Sequence, residues 1–240
     1  MLKKNTTIVY WSPVTTPDKQ TYVNLLWKSI KQLTSVMPSG SEDAGSYRRC
    51  VAAVQGLRNT YTFLHPISST VNLSGDFSSP KVDNSYDGWF PGRAALKDQY
   101  VVNYNYSWVF FSEEPVTIKL TPPYMHKTSD SEGGFIPTGM FDISKWFRPI
   151  NMVYILWKDS SSITVTKDDP TFYVEFLTDK KVVLKQFDMT PELSEIANTT
   201  ATTNLLLGIQ GSSLSERYER FVTSNRHKRV LRLIKENLLE

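Results

Sequence analysis

The sequence predicts a mainly β protein of the α+β class: an antiparallel β-sandwich, jelly-roll-like, with an N-terminal helix and C-terminal helices. Three observations carry this expectation. Short strand-like runs bounded by Pro, Gly, Asn, Asp or Ser recur about every eight to twelve residues between residues 59 and 187. The longest run, 100–111, alternates with a period of two. Helical spacing of apolar residues is confined to the two ends of the chain.

Taken in order, Thr6-Thr7-Ile8-Val9-Tyr10-Trp11 reads as a strand closed by Ser12-Pro13. Thr16-Pro17-Asp18 then has the form of a helix start, with Thr as N-cap and Pro at the first helical position. Tyr22, Leu26, Ile30, Leu33 and Met37 follow at helical spacing, and Pro38-Ser39-Gly40 stops the run. Residues 59–64 and 69–73 are expected strands. Residues 74–98, punctuated by Gly75, Pro80, Gly88, Pro91 and Gly92, are expected to be one long loop pinned by Trp89 and Phe90.

In 100–111, Tyr100, Val102, Tyr104, Tyr106, Trp108 and Phe110 share one parity, while Asn103, Asn105 and Ser107 share the other. This pattern predicts an aromatic core face and a polar outer face. Further strands are expected at 116–120, 152–157, 163–166, 172–177 and 182–187. Lys158-Asp159-Ser160-Ser161 and Thr178-Asp179-Lys180-Lys181 are expected to serve as hairpin turns. Thr190-Pro191-Glu192 repeats the helix-start pattern, 198–211 reads as a linker, and Ser213-x-x-Glu216 has the form of a capping box before a helix over 214–239. The division is a β domain with its N-terminal helix over 1–188 and a helical segment over 189–240.

Composition narrows the function classes. The chain has 240 residues, 40% hydrophobic and 21% charged, which excludes a disordered or rod-like protein. No apolar run approaches the roughly 20 residues of a membrane span, and the first residues lack the apolar core of a signal peptide, so no membrane partner is expected. The net charge is +3, and from Glu216 onward there are seven basic and four acidic residues, leaving 20 of each sign elsewhere. A nucleic-acid protein spreads a basic stripe over a whole face. Here Arg226-His227-Lys228-Arg229 reads instead as a solvated helix face, which argues against nucleic acid as partner.

Catalytic signatures are sparse. His65, His126 and His227 stand outside any His-x-Asp, His-x-Glu or His-x-His pattern, so no metal and no cofactor is expected. An iron-dependent oxygenase on a double-stranded β-helix remains the alternative; it would require His65 and His126 to converge with a carboxylate such as Asp130 or Asp142. Cys50, the single cysteine, excludes an internal disulfide and reads as a small buried hydrophobe. There is no Gly-x-Ser-x-Gly elbow and no phosphate loop. Four Asn-x-Ser/Thr triplets, at Asn5, Asn72, Asn105 and Asn198, carry meaning only on a secretory route.

What remains is a polar and aromatic concentration. Asn103, Asn105, Tyr124, His126, Trp146 and Arg148 are the residues expected to line a pocket that stacks and hydrogen-bonds a ligand, with strand packing as the competing explanation. In the C-terminal helix, Leu231, Ile234 and Leu238 lie among apolar positions too numerous for a single stripe. They are the candidate assembly element, with packing inside the monomer as the alternative.

Trp146-Phe147-Arg148-Pro149, preceded by Gly139-Met140-Phe141-Asp142-Ile143-Ser144, resembles an uncharacterised family encoded by tailed bacteriophages. Tyr10-Trp11-Ser12-Pro13 and Asn59-Thr60-Tyr61 are similar in the same way. The resemblance covers residues 6–190. It implies a phage protein located in the host cytoplasm or the virion, without catalytic residues to transfer. The functional expectation is therefore a non-enzymatic protein that works through protein partners or self-association, as a structural component of the virion.

Overall fold

The strands assemble into three sheets in a computed structural model of the chain. It describes residues 5–14, 30–37, 49–65, 68–74, 81–83, 89–91, 99–128, 133–157, 159–160, 162–206 and 214–239. The strands are β1 Thr6–Val14, β2 Lys31–Gln32, β3 Thr60–Leu64, β4 Ser69–Ser74, β5 Lys81–Asp83, β6 Trp89–Pro91 and β7 Gln99–Phe111. They continue with β8 Thr117–Thr121, β9 Gly134–Phe135, β10 Gly139–Asp142, β11 Ile150–Trp157, β12 Ser162–Val165, β13 Pro170–Leu177 and β14 Lys181–Gln186. The helices are α1 Leu33–Val36, α2 Val51–Gly56, α3 Pro191–Leu206, α4 Leu214–Thr223 and α5 Arg226–Glu236.

The first sheet runs β14-β1-β7-β11-β9, with β6 also on β7; the second runs β10-β8-β13-β3-β2; the third runs β12-β4-β5. The protein is thus mostly β with several antiparallel sheets. One pairing departs from expectation: β14 lies parallel to β1, with Thr6 opposite Lys181 and Trp11 opposite Gln186. Nor does Pro13 close β1, which continues to Val14 opposite Ser107. Trp11 accepts from Phe187 N–H on the β14 side, so Pro13, two residues on, turns its missing donor toward the side that β14 has left.

The two expected hairpins are absent. β11 belongs to the first sheet, and its successor β12 pairs with β4. Likewise β13 pairs with β3 and β8, whereas β14 pairs with β1. Both connections cross between sheets because the apolar parities on either side enter one core from different sheets. Phe172, Val174 and Phe176 of β13 meet Val182 of β14 in a cluster shared with Val9, Trp11, Tyr104, Trp108 and Phe110. The closest join is aromatic: the Trp108 ring stacks on Phe63 at 4.3 Å between centroids and meets Phe172 edge-on at 5.3 Å.

The parity prediction for β7 holds for Tyr100, Val102, Tyr104, Trp108 and Phe110, the Tyr106 side chain lying outside the described residues, and fails on the other face. Val109 and Phe111 are buried, and Ser107 with them. They lie against a second cluster on the far side of the first sheet, where Tyr10, Val109, Phe111 and Phe147 pack with Leu193 and Ala197 of α3, Phe221 of α4, and Val230, Leu233 and Ile234 of α5. A parity rule reads only one buried face, and helices here cover the second.

Helix α3 begins as expected: Leu193 N–H donates to the Thr190 hydroxyl at 3.3 Å, with Pro191 at the first position. It then continues to Leu206, through residues 198–206 of the expected linker. The single C-terminal helix is instead two, because Asn225 adopts the left-handed conformation (φ 57°) that Asn tolerates better than most residues. Ser213 of the expected capping box lies outside the described residues. So do 15–29, which hold most of the expected N-terminal helix. At its far end, Lys31–Gln32 is a strand paired with Thr62 and Tyr61, followed by one helical turn, α1. Within the expected loop 74–98, β5 pairs with β4, and β6 pairs with β7 through Trp89–Tyr104 and Phe90–Asn103. Among the described residues, no helix is long and apolar enough to cross a membrane.

Candidate functional site

The six residues expected to share a pocket fall on three parts of the fold. Asn103 is half-buried on β7, opposite Val153 of β11; the Asn105 side chain lies outside the described residues. Tyr124 and His126 occupy the turn after β8 and converge on Tyr173 of β13, whereas Trp146 and Arg148, after β10, converge on Tyr218 of α4. The expected single pocket is therefore divided between two sets of partners.

His126 is engaged at both ring nitrogens. Nε2 lies 2.8 Å from the Val36 carbonyl, which can only accept, so Nε2 carries the proton. Nδ1 is then the acceptor for the Tyr173 hydroxyl at 2.5 Å, and that hydroxyl in turn accepts from Met125 N–H at 3.3 Å. The imidazole ties α1 to the second sheet and has no lone pair left for a metal. His65 has a separate partner, with its Nε2 3.4 Å from the Tyr154 hydroxyl. Burial lowers its pKa to about 3, which keeps it neutral. Asp142 accepts from Ser144 N–H and hydroxyl at 2.9 and 2.6 Å, and Asp130 lies outside the described residues. Among the described residues, no group of three or more His, Cys, Asp or Glu is arranged to hold a metal ion. Cys50 is exposed rather than buried, at the start of a helix none of whose residues is buried.

Trp146 joins two layers. Its ring lies 5.4 Å from Phe141 of β10 and 4.7 Å from Tyr218, with the Arg148 guanidinium 5.2 Å over it. Burial pushes the Tyr218 phenol up to about 12; Arg148 opposes this shift and Asp142 adds to it. The phenol thus stays protonated, and the cluster works as a clasp between the edge of the second sheet and α4.

In the candidate assembly helix, Ile234 is fully buried in the second cluster and Leu231 packs against it. Leu238 is 36% exposed and bridges to Phe187. Val230, Leu233 and Ile234 are buried within the chain, while Leu238 and Leu239, beyond the end of α5, stay exposed. Its charges pair locally as well: Arg229 with Glu192 at 2.6 Å, Lys235 with Glu113 at 2.9 Å and Arg232 with Glu236 at 3.9 Å.

Among the described residues, part of the outer face of the second sheet is left uncovered. Phe141, Ile118 and Phe176 lie in register across β10, β8 and β13 and face the core, so Met140, Lys119 and Glu175 form the neighbouring row on the opposite face. One end of this face is covered by Leu33, Met37 and Leu57 packed on Tyr173. Beyond it the row is open: Met140 is 58% exposed, Leu177 40%, and Tyr124, edge-on to Tyr173 at 5.1 Å, 66%. Lys119 and Glu175 pair at 3.7 Å in the middle. At the β3 side a cleft of about 590 Å³ opens, lined by Gln55, Arg58, Asn59, Glu175, Leu177 and Asp179 among others. Sequence reading marked Tyr124 but missed Met140, Lys119, Glu175 and Leu177. The strand expected at 116–120 puts Lys119 on the side away from Ile118 and Leu120 without showing that this side is open among the described residues. Comparison with protein-family models and with curated proteins finds no match for the chain.

Proposed function

We propose that the chain is a non-enzymatic binding or assembly protein of a tailed bacteriophage, a structural component of its virion, built as a jelly-roll-like β-sandwich. The observation that carries this reading is the outer face of the second sheet, where, among the described residues, Met140, Leu177 and Tyr124 stand exposed. Met140, Leu177 and Tyr124 lie around the Lys119–Glu175 pair on this face, apolar anchors with a polar centre that a binding partner could cover. The chemistry-bearing residues support the same reading, because they serve the fold. His126 is held by Val36 and Tyr173, Asp142 by Ser144, and Trp146 by Phe141 and Tyr218. The phage assignment rests on the resemblance at residues 139–149. Quantitative mass spectrometry of virions purified from the encoding phage tests it. A fixed copy number per particle is the expected result; absence from particles overturns the virion assignment.

A further inference from the structure

We infer that the outer edge of β14 is a second binding site, for an extended peptide segment of a partner that adds to the first sheet and places one apolar side chain between the sheets. In β14 the odd-numbered residues turn their backbone toward β1: Lys181 N–H donates to the Asn5 carbonyl and Phe187 N–H to that of Trp11. Val182, Leu184, Gln186 and Asp188 therefore turn theirs outward. The chain itself occupies both ends of this edge. At one end Val182 N–H donates to the Asn59 side chain at 3.2 Å, and the Val182 carbonyl accepts from the Tyr61 hydroxyl at 3.4 Å. At the other, Asn237–Leu239 runs antiparallel along the strand: Leu239 N–H donates to the Gln186 carbonyl at 3.0 Å, and Asp188 N–H to that of Asn237 at 2.8 Å. Between the two, the N–H and carbonyl of Leu184 have no partner among the described residues.

This gap borders a cleft of about 770 Å³ between the edges of the first two sheets, lined by Trp11, Ile30, Tyr61, Leu184, Leu238 and Leu239 among others. Ile30, Tyr61 and Leu184 pack on the main core yet stay partly exposed. A donor and an acceptor on one strand residue are matched by the backbone of one extended residue, and apolar walls by its side chain. The chain's own Asn237–Leu239 already binds this edge in that mode. A residue opposite Leu184 in the same lane would exchange both hydrogen bonds with it and send its side chain to the same side as that of Leu184, into the cleft. The site does not draw on the outer face of the second sheet, so its failure would leave the binding reading above standing.

The probe is the blocked tripeptide acetyl-Ala-Leu-Ala-amide, titrated into the full-length isotope-labelled chain and followed through its backbone amide resonances. Saturable shifts at Leu184 and Leu239 are expected, with slower hydrogen exchange at the Leu184 amide, at an affinity in the roughly millimolar range of so short a contact. Methylating the leucine nitrogen of the peptide removes the donor for the Leu184 carbonyl and is expected to weaken binding about tenfold or more. Leu239→Asp, at a side chain 48% exposed, is expected to keep the wild-type melting temperature and lose binding by a similar factor. The absence of saturable shifts up to about 10 mM peptide overturns the inference. So does equal binding of the methylated peptide, equal binding by Leu239→Asp, or shifts that fall on Met140, Lys119 and Leu177 instead of Leu184.

Discussion

Replacing Trp108 by alanine tests the joint between the first two sheets. The side chain is 1% exposed, stacks on Phe63 at 4.3 Å and meets Phe172 at 5.3 Å, so the truncation removes a large buried ring and two aromatic contacts at once. Burial and cavity formation together cost about 3–5 kcal/mol for such a change. Two cross-sheet aromatic pairs, each contributing about 0.5–1.5 kcal/mol, place this site near the upper end. With a urea m-value of about 3 kcal/mol per molar, the midpoint should fall by about 1.5 M. Half-buried Asn103, five residues away on the same strand, provides the control, and Asn103→Ala should lose no more than about 1 kcal/mol. A double-mutant cycle with Phe63→Ala should show a coupling of about 1 kcal/mol or more. A loss below about 1.5 kcal/mol for Trp108→Ala, or additivity with Phe63→Ala, would refute the idea that this stack joins the sheets.

Other outcomes follow from named contacts. Asn59 is buried, donates to the Thr178 and Lys180 carbonyls at 3.0 and 2.9 Å and accepts from Val182 N–H at 3.2 Å, so it clamps the crossing from β13 to β14. Asn59→Ala should cost about 2–3 kcal/mol in chemical denaturation, since buried peptide groups lose their partner. His65 has a pKa lowered to about 3 by burial, so between pH 6.5 and 3 the unfolded chain takes up a proton that the folded chain refuses. Its contribution is therefore fully present above about pH 6.5 and lost on acidification, by about 1.4 kcal/mol per pH unit. The pH dependence of stability between 7 and 5 should flatten in His65→Gln; an unchanged slope would mean that His65 is not the group responsible. Ile234→Ala should destabilise the fold by about 2–4 kcal/mol, read by thermal or urea melting, because the side chain is fully buried against the first sheet. Unaltered stability with lost self-association would return α5 to the role of assembly element.

The two- to four-residue strands β2, β5, β6, β9 and β10 were not legible, whereas the longer strands were legible where one parity is apolar. Ile118 and Leu120 against Thr117, Lys119 and Thr121 is such a case, and so is the Thr190-Pro191 start of α3. Sheet membership was not legible, because a short polar turn such as 178–181 looks the same whether it folds a hairpin or carries the chain across the core. The pairings of β13 and β14 and the partners of Asn59 reveal the crossing. Helix lengths suffered from single-residue chemistry: Asn225 splits a continuous apolar pattern by turning left-handed. The candidate site was partly legible. Tyr124 does border the open face, but His126 and Trp146 found partners remote in sequence, which no local pattern announces, while Arg148 sits over the nearby Trp146 ring. Met140 and Leu177 were invisible as site residues, since exposure of an apolar residue is a property of what fails to cover it.

The most direct test of the central claim, that the protein acts through the open face of its second sheet, is complementation of a phage deleted for this gene. Wild-type chain and the outer-face variant Met140→Asp would be supplied in trans and purified particles analysed by quantitative mass spectrometry. Met140 is 58% exposed, so the variant should match wild type in thermal melting and expression. The account predicts that wild-type chain enters the particles at a fixed copy number and that the folded variant is depleted from them. Incorporation of Met140→Asp at the wild-type level would contradict it.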